Sequence, residues 1–185
     1  MKQPYAAGML DVQLAERLRR AIVTAPIITM SNKVPKGHPT HVPAPDAEVE
    51  SLNAQNVYHG TDERLEMLYG EVLEDLYAPV ANAFQSPWKA LRVRSWQTKP
   101  GANCGPASWH LDGQGKNLLK IMLYSTPTDN GGGGFEINIR DRTETLRGPA
   151  GMWVLFHNSE YEHRGLPPDE GKPNRVATEF TVQAC

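Results

Sequence analysis

Apolar and polar positions follow two different periods along this chain, and the period changes near Trp88. From Asp11 to about Val23, Leu14, Leu18, Ala21 and Ile22 fall on one stripe at helical spacing, with Asp11 placed to cap the first turn. Ile27 to Met30 reads as a short buried strand. Residues 31–60 are rich in Pro, Asn, His and Ala and read as loop, with one helical turn around Glu48. A stronger helix is predicted from Thr61 and Asp62, which can cap it, to about Ala78. Leu65, Leu68, Tyr69, Val72 and Leu76 lie on one face with acidic residues opposite, and Pro79 is expected to bend or end the helix.

Beyond Trp88 the period is that of strands. Residues 91–97, 118–124, 135–139, 152–156 and 176–182 are short strand-like runs separated by Gly, Pro, Asn and Asp turns, and Gly131 to Gly134 suits one such turn. Two helical segments followed by closely spaced strands predict a mainly β fold with N-terminal helices. The expected form is an antiparallel double-sheet sandwich or jelly roll with the helices against one sheet. No linker or repeat divides the chain, so residues 1–185 are read as one domain: a helical and loop part over 1–88 and a β core over 89–183.

Composition narrows the function. The chain has 185 residues, 39% apolar and 22% charged, with a formal charge of −2, which suits a folded globular protein. Its basic residues are scattered and form no phosphate-neutralising face, so nucleic acid is not an expected partner. Cys104 and Cys185 are too few for a disulfide framework and form no C-x-x-C pair, and a reducing cytoplasm is the expected location. No apolar stretch suits a signal peptide or a membrane span. Neither helix carries a sustained heptad, and oligomeric state is left open.

The chemistry begins at Trp109-His110-Leu111-Asp112-Gly113. If this stretch is a strand, His110 and Asp112 point to the same face and present an imidazole beside a carboxylate. A second histidine from a distant strand would complete a two-His-one-carboxylate face, which suits Fe(II) and leaves positions open for other ligands. His163, in Glu162-His-Arg-Gly-Leu-Pro167, is the chosen third ligand. His157, directly after the strand over 152–156, is its competitor, and there a strand-end role is the commoner reading. Tyr124 shares a strand face with Met122 and Lys120, opposite Leu119, Ile121 and Leu123, and so can point inward. Arg94 and Trp96 alternate on the first core strand and can face the same space as contacts to substrate or co-substrate, as can Lys120. Core or solvent packing is the plainer reading of all three.

The order of these parts resembles the Fe(II)/2-oxoglutarate-dependent oxygenase superfamily, in its prolyl-hydroxylase-like and phytanoyl-CoA-hydroxylase-like branches. The matching elements are His110-Leu-Asp112, the stretch from Leu123 to Glu136, Gly148 to Phe156, His163-Arg-Gly and Asn174-Arg-Val-Ala177, and they lie within residues 89–183. The resemblance implies a double-stranded β-helix of cupin-like form and iron on His110, Asp112 and His163. It further implies 2-oxoglutarate held by Arg175 with help from Tyr124, O2 as second co-substrate, and release of succinate and CO2. Arg175 stands twelve residues after His163, a spacing stretched by Pro167 to Pro173. Related halogenases carry Gly or Ala where this chain has Asp112, so hydroxylation, desaturation or cyclisation of a small-molecule metabolite or natural-product intermediate is the implied outcome. Two rival readings keep the jelly roll: a cupin-like metal-dependent isomerase or dioxygenase without 2-oxoglutarate, in which Arg175 has no task, and a non-catalytic binding module.

Overall fold

A computed structural model describes residues 3–28, 55–113, 115 and 117–185. In chain order these form β1 (Tyr5–Met9), α1 (Val12–Thr24), β2 (Ile27–Ile28), β3 (Asn56–His59), α2 (Glu63–Phe84), β4 (Trp88–Thr98), β5 (Leu118–Tyr124), β6 (Gly134–Ile139), β7 (Arg142–Leu146), β8 (Met152–Phe156), β9 (His163–Leu166) and β10 (Arg175–Ala184). The strands build two antiparallel sheets, one ordered β1-β8-β5-β10-β4-β3-β2 and the other β7-β6-β9. This mainly β arrangement with two helices is consistent with a jelly-roll core. No described helix is long and apolar enough to cross a membrane.

Strand alternation sorts the interior into two clusters. On β5, Leu119, Ile121 and Leu123 join Leu18 and Ile22 of α1 and Leu65, Val72 and Leu76 of α2 on one side of the large sheet. Met122 and Tyr124 point the other way, into a cluster with Trp96 of β4, Phe135 and Ile137 of β6 and Phe156 of β8. A side-chain period of two thus sends one strand's residues to both layers. Burying each of these large side chains stabilises the fold by roughly 1.5–3 kcal/mol.

Asp11 and Asp62 cap the helices as their positions suggest, accepting from the backbone N–H groups of Leu14 at 2.9 Å and Leu65 at 2.8 Å. Pro79 does not end α2, which continues to Phe84. Asp75 and Pro79 are both exposed, so the carbonyl that loses its N–H partner faces water, while Leu76 and Val80 hold the turn on the core. Within the stretch read as loop, β3 pairs with β4, and its Tyr58 and His59 are buried. Ile27 is exposed and Ile28 half-buried, so the expected buried strand is a short edge strand; residues 29 and 30, and the turn around Glu48, lie outside the described residues. The strands β1 and β7 had not been expected. Gly131 to Gly134 does form a turn: a Cβ on Gly132 would lie 2.1 Å from the Pro127 carbonyl oxygen.

Candidate metal centre

His110, Asp112 and His163 converge, with one ligand atom from each lying within 4.8 Å of the others. The expectation of a strand under Trp109–Gly113 is corrected: this stretch is a loop that touches β9 at a single antiparallel bridge, His110 with His163. Their backbones exchange N–H to carbonyl bonds of 3.1 and 3.0 Å, and Asp112 N–H donates to the Asn158 carbonyl at 2.9 Å. The loop therefore borrows its order from β9 and from the turn after β8. On the far side of each histidine the next residues also meet, with the Arg164 guanidinium 4.7 Å from the Trp109 ring centre and its Nε donating to Glu136 at 2.7 Å.

Both imidazoles are set up as ligands. Nδ1 of His110 faces the Ser108 carbonyl at 2.7 Å and Nδ1 of His163 faces that of Tyr161 at 3.0 Å. Because a carbonyl only accepts, each Nδ1 carries the proton and each Nε2 is left with its lone pair. Nε2 of His163 lies 3.5 Å from Oδ2 of Asp112. An unprotonated nitrogen facing a carboxylate is an arrangement that a shared cation suits, and the donor set of two nitrogens and one carboxylate fits a divalent transition metal. Burial, followed by the nearby His163, lowers the pKa of His110, which favours the neutral ligand form.

Asp112 is held from behind. Its Oδ2 lies 2.6 Å from Lys120 Nζ and accepts from Asn158 Nδ2 at 3.1 Å. Lys120 also meets Oε2 of Glu179 at 2.8 Å, and Arg94 Nη2 reaches the same oxygen at 2.8 Å. Burial works to raise the Asp112 pKa, but the Lys120 ammonium beside it outweighs burial and holds the carboxyl far below its usual range. Glu179 is similar: burial would raise it, Arg94 and then Lys120 outweigh burial, and its pKa is lowered to about 2. Asp112, Lys120, Glu179 and Arg94 line a cavity of about 530 Å³ together with Tyr58, Trp96, Met122, Tyr124, Phe135 and Arg175.

Arg175 opens β10 at 1% exposure. Nη2 donates to Thr98 Oγ1 at 3.0 Å, and Nη1 donates to the carbonyls of Gly134, at 3.2 Å, and Leu166. Its Nε has no partner, and among the described residues no carboxylate pairs with it. Burial lowers its pKa, yet the guanidinium stays charged at neutral pH. A buried cation without a counter-charge beside a cavity is a ready carboxylate receptor. Tyr124 lies under it, 5.4 Å from ring centre to guanidinium carbon, and donates its hydroxyl proton to the Gly134 carbonyl at 3.3 Å. Burial pushes that phenol up to about 12.

Of the other residues singled out from sequence, Arg94, Trp96 and Lys120 all face the cavity. Lys120 and Arg94 are bound up in the ion pairs with Asp112 and Glu179. His157 is not part of the metal-binding group, and its Nδ1 is buried without a partner. Two residues were missed. Glu179 had a signal, a lone acid on the inward-facing alternation Arg175, Ala177, Glu179 and Thr181 of β10. Asn158 had none, since only the fold brings it to Asp112.

No protein-family model and no curated protein sequence matches this chain. Solved structures do. The non-haem alpha-ketoglutarate-dependent epimerase SnoN from nogalamycin biosynthesis superposes with a TM-score of 0.67 at 12% identity, over 99% of this chain and 78% of that one. HygX from Streptomyces hygroscopicus, solved with nickel and 2-oxoglutarate, gives 0.62 at 12% identity, over 98% and 83%. The viral collagen prolyl hydroxylase vCPH from Paramecium Bursaria Chlorella virus-1 gives 0.58 at 16% identity, over 100% and 98%. The chain shares the fold of these 2-oxoglutarate-dependent proteins.

Proposed function

We propose that this chain is an Fe(II)- and 2-oxoglutarate-dependent oxygenase that hydroxylates a small-molecule metabolite or natural-product intermediate, with residues 1–185 forming one double-stranded β-helix domain. One observation carries the reading: a two-His-one-carboxylate set and a buried arginine without a counter-charge line the same cavity. Either alone is ordinary; together they match a metal and a dicarboxylate held side by side. The shared fold with HygX and SnoN supports it, and HygX has been solved with hygromycin B bound.

In this reading His110, Asp112 and His163 hold the iron, and the iron supplies the oxidising chemistry when O2 and 2-oxoglutarate are present. Arg175 receives the distal carboxylate of 2-oxoglutarate, and Tyr124 beneath it shapes that end of the cavity. The rings of Phe135 and Phe156, 6.1 and 4.6 Å from His163, keep bulk water from the inner side of the ligands. Asp112 supplies the carboxylate ligand, which favours oxygen insertion over halide transfer.

The test is an anaerobic Fe(II) titration with and without 2-oxoglutarate, followed by the weak visible charge-transfer band. The band is expected in the wild type, lost in His110→Ala and weakened in Arg175→Ala, with succinate formed once O2 is admitted. Metal binding with no band in any protein would favour the cupin-like alternative, and no metal binding would end the enzyme reading. Among the products, a gain of one oxygen atom identifies hydroxylation, whereas a loss of two hydrogens identifies desaturation or cyclisation.

A further inference from the structure

Apart from Arg175, the charged side chains of the described cavity lining are paired with one another. Asp112 is matched by Lys120, and Glu179 by Lys120 and Arg94, at 2.6 to 2.8 Å, with Arg92 of β4 3.5 Å from the other Glu179 oxygen. The fifth charged group in the lining, Arg175, is the one the proposed function assigns to 2-oxoglutarate. With metal and co-substrate in place, no charged side chain of the described lining is left for a charge on the substrate. A carboxylate, phosphate or ammonium entering there would lose its hydration without gaining a charged partner from the described lining.

What remains of the wall is Tyr58, Trp96, Pro106, Leu111, Met122 and Phe135. Tyr58 and Trp96 lie 5.8 Å apart with their rings tilted by 35°, side by side on paired strands. Leu111, between two metal ligands in sequence, is 53% exposed while lining the same cavity. Such a surface gains by covering an apolar ring. Two buried donors on β4, Arg94 Nε and Trp96 Nε1, have no acceptor.

Resting on the oxygenase reading, we infer that the part of the substrate that enters this cavity is an uncharged ring. Amino-acid zwitterions, phosphorylated sugars and other compounds charged at the reacting end find no free charged partner among the described lining residues.

The test uses the full chain loaded with Zn(II) and saturated with 2-oxoglutarate, and three probes on one scaffold: naphthalene-2-methanol, 2-naphthoate and 2-naphthylmethylamine, with binding read by ligand-observed NMR. The alcohol is expected to bind more tightly than either charged probe by roughly tenfold or more, the cost of desolvating an unpaired charge. Leu111→Ser, at an exposed position, and Tyr58→Ala should each weaken the alcohol and leave 2-oxoglutarate binding unchanged. Equal or tighter binding of a charged probe overturns the inference, as does binding of none of the three, and in either case the oxygenase reading stands. If the wild type takes up neither Zn(II) nor 2-oxoglutarate, that reading fails and this one with it.

Discussion

Lys120 Nζ lies 2.6 Å from Oδ2 of Asp112 with only 2% of the lysine side chain exposed, so a buried cation braces the candidate carboxylate ligand against the large sheet. Removing one member of a buried ion pair strands the other, and here Lys120→Met strands Asp112 and strips one partner from Glu179. The expected loss in unfolding free energy of the metal-free protein is about 3–5 kcal/mol, measurable by urea denaturation at neutral pH. A loss of under about 1 kcal/mol would place the pair among solvent-screened ones.

Glu179 gives the pH dependence. Its pKa is lowered to about 2 from an ordinary 4.5, so the folded state favours the carboxylate. That contribution is fully present above pH 4.5 and is lost as pH falls toward 2. Its size is about 3 kcal/mol. Glu179→Gln should therefore be less stable than wild type at pH 7, and the gap should close between pH 4.5 and 2. A gap that stays constant over this window would show that the carboxylate's charge contributes nothing.

The sequence made legible those parts of the site that carry their own periodicity or an unusual residue type. The inward face of β5, with Lys120, Met122 and Tyr124, follows from alternation alone, and so does the opposite face that meets the helices. His110, Asp112 and His163 stood out by residue type and order, but the reason first given for His110 and Asp112 sharing a side was a strand that does not exist. The bridge to β9 does that work, and a contact made by one residue pair leaves no pattern in either segment. The strand β3 was hidden because its four residues, Asn56 to His59, are too few and too mixed to show a period, and pairing with β4 supplies what propensity does not.

The Trp109–Arg164 stack joins the residues next to the two histidines, outside the cavity, and holds the loop to β9. Trp109→Leu removes it without altering a charge near the ligands. A contact of this kind is worth about 1 kcal/mol, so metal affinity should fall by roughly fivefold. Trp109→Phe should restore most of it. Isothermal titration with Mn(II) decides the matter, and unchanged affinity in Trp109→Leu would mean that the backbone bridge suffices.

Gly165 separates the two halves of the proposed site. A Cβ there would stand 2.8 Å from Nη2 and 3.2 Å from Nη1 of Arg175, and the backbone at Gly165 lies outside the left-handed region, so alanine is excluded by space and not by conformation. Gly165→Ala must push the guanidinium aside in a packed interior, a strain of about 1–3 kcal/mol. The displaced charge would then meet the 2-oxoglutarate carboxylate poorly. The variant should bind 2-oxoglutarate roughly five- to a hundredfold more weakly for that energy. Its affinity for metal alone should match wild type, since the ligands are untouched. A parallel fall in metal affinity would show instead that the strain reaches His163, two residues earlier on β9, and that Arg175 and the metal ligands move as one unit.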